Sequence, residues 1–90
     1  MELKDTIGLM QSEDYKERFL AEYLQTKIRY EKLHNMTVKY EADTLPFTPS
    51  CSLELLKRQK KAMGEYLNAL EIRAELEGID LTVRDGGKDK

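Results

Sequence analysis

The sequence predicts an all-α fold: a long antiparallel two-helix hairpin with a short N-terminal helix, in a chain that assembles as a homo-oligomer. Three observations lead there. The stretch of about 13–41 holds neither proline nor glycine, and the stretch of about 50–77 holds no proline. Both repeat apolar residues at steps of three and four, the period of helices packed lengthwise. Between them, EADTLPFTPSCS carries Pro46 and Pro49, which end one helix and allow the chain to turn back.

The elements follow in order. Leu3, Ile7 and Met10 share one side of a short helix over about residues 2–10, weakened by Gly8. Ser12 reads as the N-cap of the next helix, with Glu13 and Asp14 in the first turn, where the helix dipole favours negative charge. That helix runs from about 13 to 41, roughly 29 residues or on the order of 40 Å. Phe19, Tyr23, Thr26, Tyr30, Leu33, Thr37 and Tyr40 form its seam. A shorter stripe, Leu20, Leu24 and Ile28, lies to one side. One partner helix covers one face only, so the second stripe implies another chain.

The second helix is expected over about 50–77. Thr48 before Pro49 fits a cap followed by proline at the first helical position, with Ser50 or Ser52 as other caps. Leu56, Met63, Leu67, Leu70 and Ala74 form its main apolar face. Leu55, Ala62, Ala69 and Leu76 form a separate line at heptad spacing, whose two alanines permit close helix approach. Gly78 and Ile79 match a glycine stop with its trailing hydrophobic contact. A single domain over residues 1–83 results, with residues 84–90 (DGGKDK preceded by Arg) expected to be a disordered tail.

Composition narrows the function. Hydrophobic residues are 40% of the 90 and charged residues 36%, without Trp, which suits solvent-washed helices rather than a deep core. A net charge of −2 argues against DNA or RNA polymers as partners, since those call for a strong basic excess. Cys51 stands alone and cannot form an internal disulfide, which suits a reducing cytoplasm. No apolar run approaches spanning length and the N-terminus is too polar for a signal peptide, so no membrane role is expected.

Catalytic machinery is not legible. His34 has no nucleophile at helical spacing, and one His with one Cys cannot make a usual zinc set. Glu65, Glu71, Glu75 and Glu77 have Lys or Arg neighbours within a turn and read as solvated faces. DGGK lacks the spacing and context of a phosphate loop. The protein is therefore expected not to be an enzyme and to need no metal or cofactor.

Two patterns suit binding. On the first helix, Tyr15 precedes Lys16 and Arg18, with Lys27 and Arg29 three to four turns on. Tyrosine stacks on bases, while Arg and Lys meet phosphates through charge-assisted hydrogen bonds; the alternative is a packed Tyr15 beside solvated cations. On the second helix, Gln59, Tyr66 and Arg73 recur every seven residues along the edge of the apolar face. There Arg73 is either an interface ion-pair partner or a ligand contact.

These residues resemble a known family. LLKRQKKAMGEYLNALEIRAE is similar to the LLxxQxxAMxxYxxxLxxRI pattern of phage-encoded anti-CBASS and anti-Thoeris sponge proteins, including related short proteins of crAss-like phages. Tyr15, Arg18, Glu22 and Leu33 fall where that family has Tyr-x-x-Arg, a Glu and a Leu, so the resemblance covers about residues 15–77. It implies a hexamer of hairpins that holds cyclic nucleotide immune messengers without cleaving them, in the cytoplasm of an infected bacterial host. Cyclic dinucleotides, cyclic trinucleotides around a threefold axis, and cyclic ADP-ribose isomers are the implied ligands. By motif position Tyr15 is the implied base-stacking residue, with Arg29, or Lys27 in a shifted register, as its cationic partner. Arg73 is the implied contact to trinucleotide phosphates. Tyr23 stands where the family has Lys, Thr26 replaces an apolar residue, and the interhelical loop is longer, which bears on ligand identity more than on assembly. A helical adaptor or inhibitor docking its Leu20, Leu24, Ile28 stripe on a host protein is the rival reading; a nucleic-acid-binding regulator is the weaker third.

Overall fold

A computed structural model describes residues 1–82, and all regular structure among them is helical. A single 3₁₀ turn, Leu3–Thr6, runs directly into the one-turn helix α1, Ile7–Met10. The long helices are α2, Tyr15–Glu41, and α3, Leu53–Glu77. Residues 83–90, which include the tail expected to be disordered, lie outside the described residues.

Side-chain pairs fix the direction of packing. Tyr15 bonds to Glu77, Tyr23 to Glu71, and Lys57 to Glu41. The start of one helix thus meets the end of the other, and α2 and α3 run antiparallel. The longest dimension, 42 Å, is about the length of α2 itself.

The ends are set by caps. Asp14, rather than Ser12, caps α2: its carboxylate accepts from the Lys16 amide at 3.0 Å. Ser12 works one step earlier, its hydroxyl accepting from the Asp14 amide at 3.0 Å and fixing the approach to the cap. Ser52 caps α3 by accepting from the Leu55 amide at 3.1 Å, so Thr48 and Pro49 belong to the loop. Gly78 ends α3 at φ 69°, with the Ile79 amide reaching back to the Ala74 carbonyl at 2.8 Å. This six-to-one closure is a Schellman stop, and Ile79 tucks into the core behind it. The end of α2 uses the same closure. There Asp43 takes the left-handed position at φ 61°, and the Thr44 amide donates to the Lys39 carbonyl at 2.9 Å.

Phe19, Leu20, Tyr23 and Leu24 of α2 meet Leu67, Leu70 and Ala74 of α3, with Ile79 closing the cluster. Leu9 and Leu81 pack against the same cluster from the segments before α2 and after α3. The Gln25 amide nitrogen, donating to the Thr6 hydroxyl at 2.8 Å, ties the N-terminal segment down. One expectation is thereby corrected. Leu20 and Leu24 need no second chain, because the segments before α2 and after α3 fold over them. The surplus apolar surface lies elsewhere, on the outer face of α3, where Leu55, Ala62, Ala69 and Leu76 are all exposed.

Candidate functional site

Tyr15 is the first residue of α2 and Arg73 lies in the last turns of α3, so antiparallel packing brings them together at the open end of the hairpin. The Arg73 Nη2 donates to the Tyr15 hydroxyl at 2.7 Å, and that hydroxyl donates to Glu77 Oε1 at 3.0 Å. Arg73 Nε donates to Glu77 Oε2 at 3.2 Å, closing a ring of three hydrogen bonds. Beneath it, the guanidinium carbon lies 4.9 Å from the centre of the buried Phe19 ring, a cation–π distance. The Tyr15 ring meets Phe19 edge-on at 6.2 Å.

Electrostatics follow from these contacts. The hydrogen bond to Glu77 raises the Tyr15 phenol above its usual pKa, burial adds to the rise, and Arg73 opposes it. Glu77 likewise raises Arg73, so the guanidinium stays charged. Tyr15 still exposes 48% of its surface, and the Arg73 side chain is half exposed. The arrangement is a positioned cation and an available aromatic ring on a rigid helical edge. The Glu77 carboxylate sits against Arg73 as a phosphate oxygen could.

The other sequence-selected residues are placed differently. Arg18 has a structural task, donating from Nη1 to the Ser12 carbonyl at 2.8 Å across the α1–α2 link. Lys27 lies over the Tyr23 ring at 5.7 Å, and Arg29 is exposed with no hydrogen bond or ion pair among the described residues. At 1.5 Å per residue, Lys27 and Arg29 stand about 18 and 21 Å along the helix from Tyr15. One chain therefore does not join either of them to Tyr15. Tyr66 is 43% exposed, two turns before Arg73 on the same edge. Four surface concavities among the described residues, of about 360, 510, 300 and 210 Å³, are lined by residues other than these six.

Sequence reasoning named Tyr15 and Arg73 but assigned them to separate sites, and it left Glu77 as a solvated face. The i,i+4 spacing of Arg73 and Glu77 was the available signal for that half of the ring. The 58-residue separation of Tyr15 and Arg73 required the hairpin register.

The other polar residues singled out from the sequence lie away from this ring. His34 is exposed, its Nδ1 lies 2.9 Å from Lys60 Nζ, and its ring stacks on Tyr30. Cys51 is exposed in the loop. Among the described residues no group of three or more His, Cys, Asp or Glu side chains could hold a metal, and no helix is long and apolar enough to cross a membrane.

The chain is thus a small helical hairpin with a fixed guanidinium and an open tyrosine at one end. The family model described as Sequestin matches residues 13–76, more than half of the chain, and the chain belongs to that family. The assignment coincides with the resemblance to anti-CBASS and anti-Thoeris sponge proteins, and the family's name denotes holding a molecule rather than converting it. No curated protein and no solved structure matches the chain.

Proposed function

We propose that copies of this chain assemble, as a hexamer, and hold cyclic nucleotide immune messengers in pockets shared between subunits, without cleaving them. The role is that of a phage-encoded sponge acting in the cytoplasm of an infected bacterium. The observation that carries this reading is the direct pairing of Tyr15 with Arg73 in a member of the Sequestin family. A tyrosine ring for a base and a charged guanidinium for a phosphate are the two contacts a nucleotide needs. Tyr66 lines the same edge, and Lys27, Arg29 and Arg18 supply positive charge along α2.

A single hairpin offers an edge, whereas tight capture of a small ligand calls for a concave site that buries most of it. Walls from neighbouring copies meet that need, and Arg29, exposed and without a hydrogen bond or ion pair among the described residues, is a cation available to such a wall. The rival adaptor reading needs Leu20, Leu24 and Ile28 as an exposed docking stripe; Leu20 and Leu24 are buried within this chain, in the cluster that Ile79, Leu9 and Leu81 join.

Calorimetric titration with a panel of cyclic di- and trinucleotides and cyclic ADP-ribose isomers tests the reading. At least one is expected to bind at micromolar affinity or tighter and to be recovered intact. Tyr15→Ala is expected to weaken that binding tenfold or more with helicity retained. Absence of binding across the panel overturns the reading.

A further inference from the structure

We propose that the outer face of α3 is the surface on which two copies meet, α3 against α3, antiparallel about a twofold axis near Tyr66. The inference deepens the assembly part of the proposed function and rests on it. It starts from the exposed line Leu55, Ala62, Ala69, Ile72 and Leu76. Leu76 exposes 82% of its surface and Ile72 53%, although both stand on a helix whose opposite face already fills the core. Single exposed apolar residues are ordinary, but a line of four in heptad register, with Ile72 beside it, marks an interaction seam. The two alanines at its middle allow the helix axes to approach closely.

The charges on that face choose the occupant and its direction. Taking Leu55, Ala62, Ala69 and Leu76 as one seam position, the other seam position holds Arg58, Glu65 and Ile72. In a parallel pair, each seam residue faces its own copy, so Arg58 would meet Arg58 and Glu65 would meet Glu65 inside the contact. Two like-charge layers in one short seam are strongly unfavourable. Reversing one helix moves the two Arg58 about 27 Å apart along the axis and takes the two Glu65 out of a shared layer, offset by about 6 Å. Arg58 then lies across from Leu76 of the second copy, beside its acidic end, Ala62 lies across from Ile72, and Glu65 lies across from Ala69. On the flank, Lys61 meets Glu75 of the second copy, twice by symmetry. The face is complementary to itself in this direction, as a twofold contact requires. In the isolated chain Lys61 is held only by a solvent-exposed pairing with Glu65 at 3.3 Å, which is weak and readily exchanged.

The same geometry completes the candidate site. Gln59, Tyr66 and Arg73 form the other flank, so antiparallel pairing sets Tyr66 against Tyr66 and brings Gln59 of the second copy beside Arg73. The Tyr15–Arg73–Glu77 ring of each copy then borders the basic half of its neighbour's α3, which contributes Arg58 to an anion's surroundings.

Light scattering and cysteine cross-linking test this. The wild-type protein is expected at an even multiple of 10.5 kDa. Ile72→Lys combined with Leu76→Lys is expected to at least halve that mass with the helical dichroism unchanged. In a Cys51→Ser background, Ala62→Cys alone and Ile72→Cys alone are each expected to stay uncross-linked, while the two variants co-expressed form a disulfide-linked dimer. A monomer, an odd-numbered assembly, a mass indifferent to the lysine pair, or cross-linking of Ala62→Cys with itself overturns the proposal. Titration of the same samples separates it from the sponge reading. An assembly that binds a cyclic nucleotide but is indifferent to the lysine pair sinks this interface alone, and a cross-linked even assembly that binds none sinks the sponge alone.

Discussion

The two ends of the hairpin are built differently. At the open end, Phe19, Leu20, Tyr23 and Leu24 close on Leu67, Leu70, Ala74 and Ile79, and Leu9 and Leu81 pack against the cluster from the segments before α2 and after α3. At the loop end, Leu56 and Thr37 are the buried residues, with Leu33, Met36 and Tyr40 only half covered and Phe47 exposed. Tyr15, Arg73 and Glu77 sit at the densely packed end. A site whose side chains must hold their geometry benefits from such support, whereas the loop end has only to reverse the chain. Large-to-small substitution gives the sharpest contrast. Leu70, 1% exposed, is expected to cost about 3–5 kcal/mol when replaced by Ala, and Leu56, 7% exposed and outside the main cluster, nearer 2 kcal/mol. Urea denaturation measures both, and equal costs would erase the distinction between the ends.

A variant lacking residues 1–10 tests whether the wrapping segment belongs to that support. It uncovers Leu20 and Leu24, and a loss of about 2–4 kcal/mol is expected from the leucine surface returned to water. If stability is unchanged, a second chain rather than Leu9 covers this face. Next in size is a pH effect. Burial first, and then the hydrogen bond to Glu71, push the Tyr23 phenol from 10.0 up to about 12. Because the folded state holds the proton more tightly than the unfolded chain, this stabilisation is complete below pH 10 and is lost as pH rises through 12. The expected loss is roughly 2–3 kcal/mol over that window. Tyr23→Phe, compared with wild type by denaturation at pH 9 and pH 12, should remove this part of the slope.

Much of this was legible in the sequence, for a definite reason. Periodicity reports which faces are apolar, and Phe19, Tyr23 and Tyr30 of the predicted seam pack with Leu67, Leu70 and Ala74 of the predicted α3 face. Periodicity does not report what covers a face. Leu20 and Leu24 were therefore assigned to another copy, while Leu9, Ile79 and Leu81 of the same chain do the covering. The line Leu55, Ala62, Ala69, Leu76 was read correctly as a separate stripe, yet only the fold shows that it faces outward. The site divides likewise. Tyr15 and Arg73 were each singled out by residue type, but their contact depends on hairpin register, which no local pattern encodes. Asp14 and Ser12 are equally good capping residues, and only the chain path into α2 separates them.

The smallest contrast concerns how the two long helices stop. Both close with the same six-to-one hydrogen bond, but the left-handed residue is Gly78 at the open end and Asp43 at the loop end. Gly78→Ala is expected to cost about 1 kcal/mol. A Cβ there meets nothing within 4 Å, so the cost comes from backbone conformation and not from collision. Asp43 already carries that conformational cost, eased by aspartate's tolerance of the left-handed region. Asp43→Gly is therefore expected to gain a few tenths of a kcal/mol, the relief in the folded state being partly offset by the greater freedom of glycine in the unfolded chain. Thermal melting of the two variants side by side should move the midpoint in opposite directions, with the larger shift at Gly78. If Asp43→Gly destabilises instead, its carboxylate has a contact at the loop that matters more than its backbone, and the loop end is more specifically built than its packing indicates.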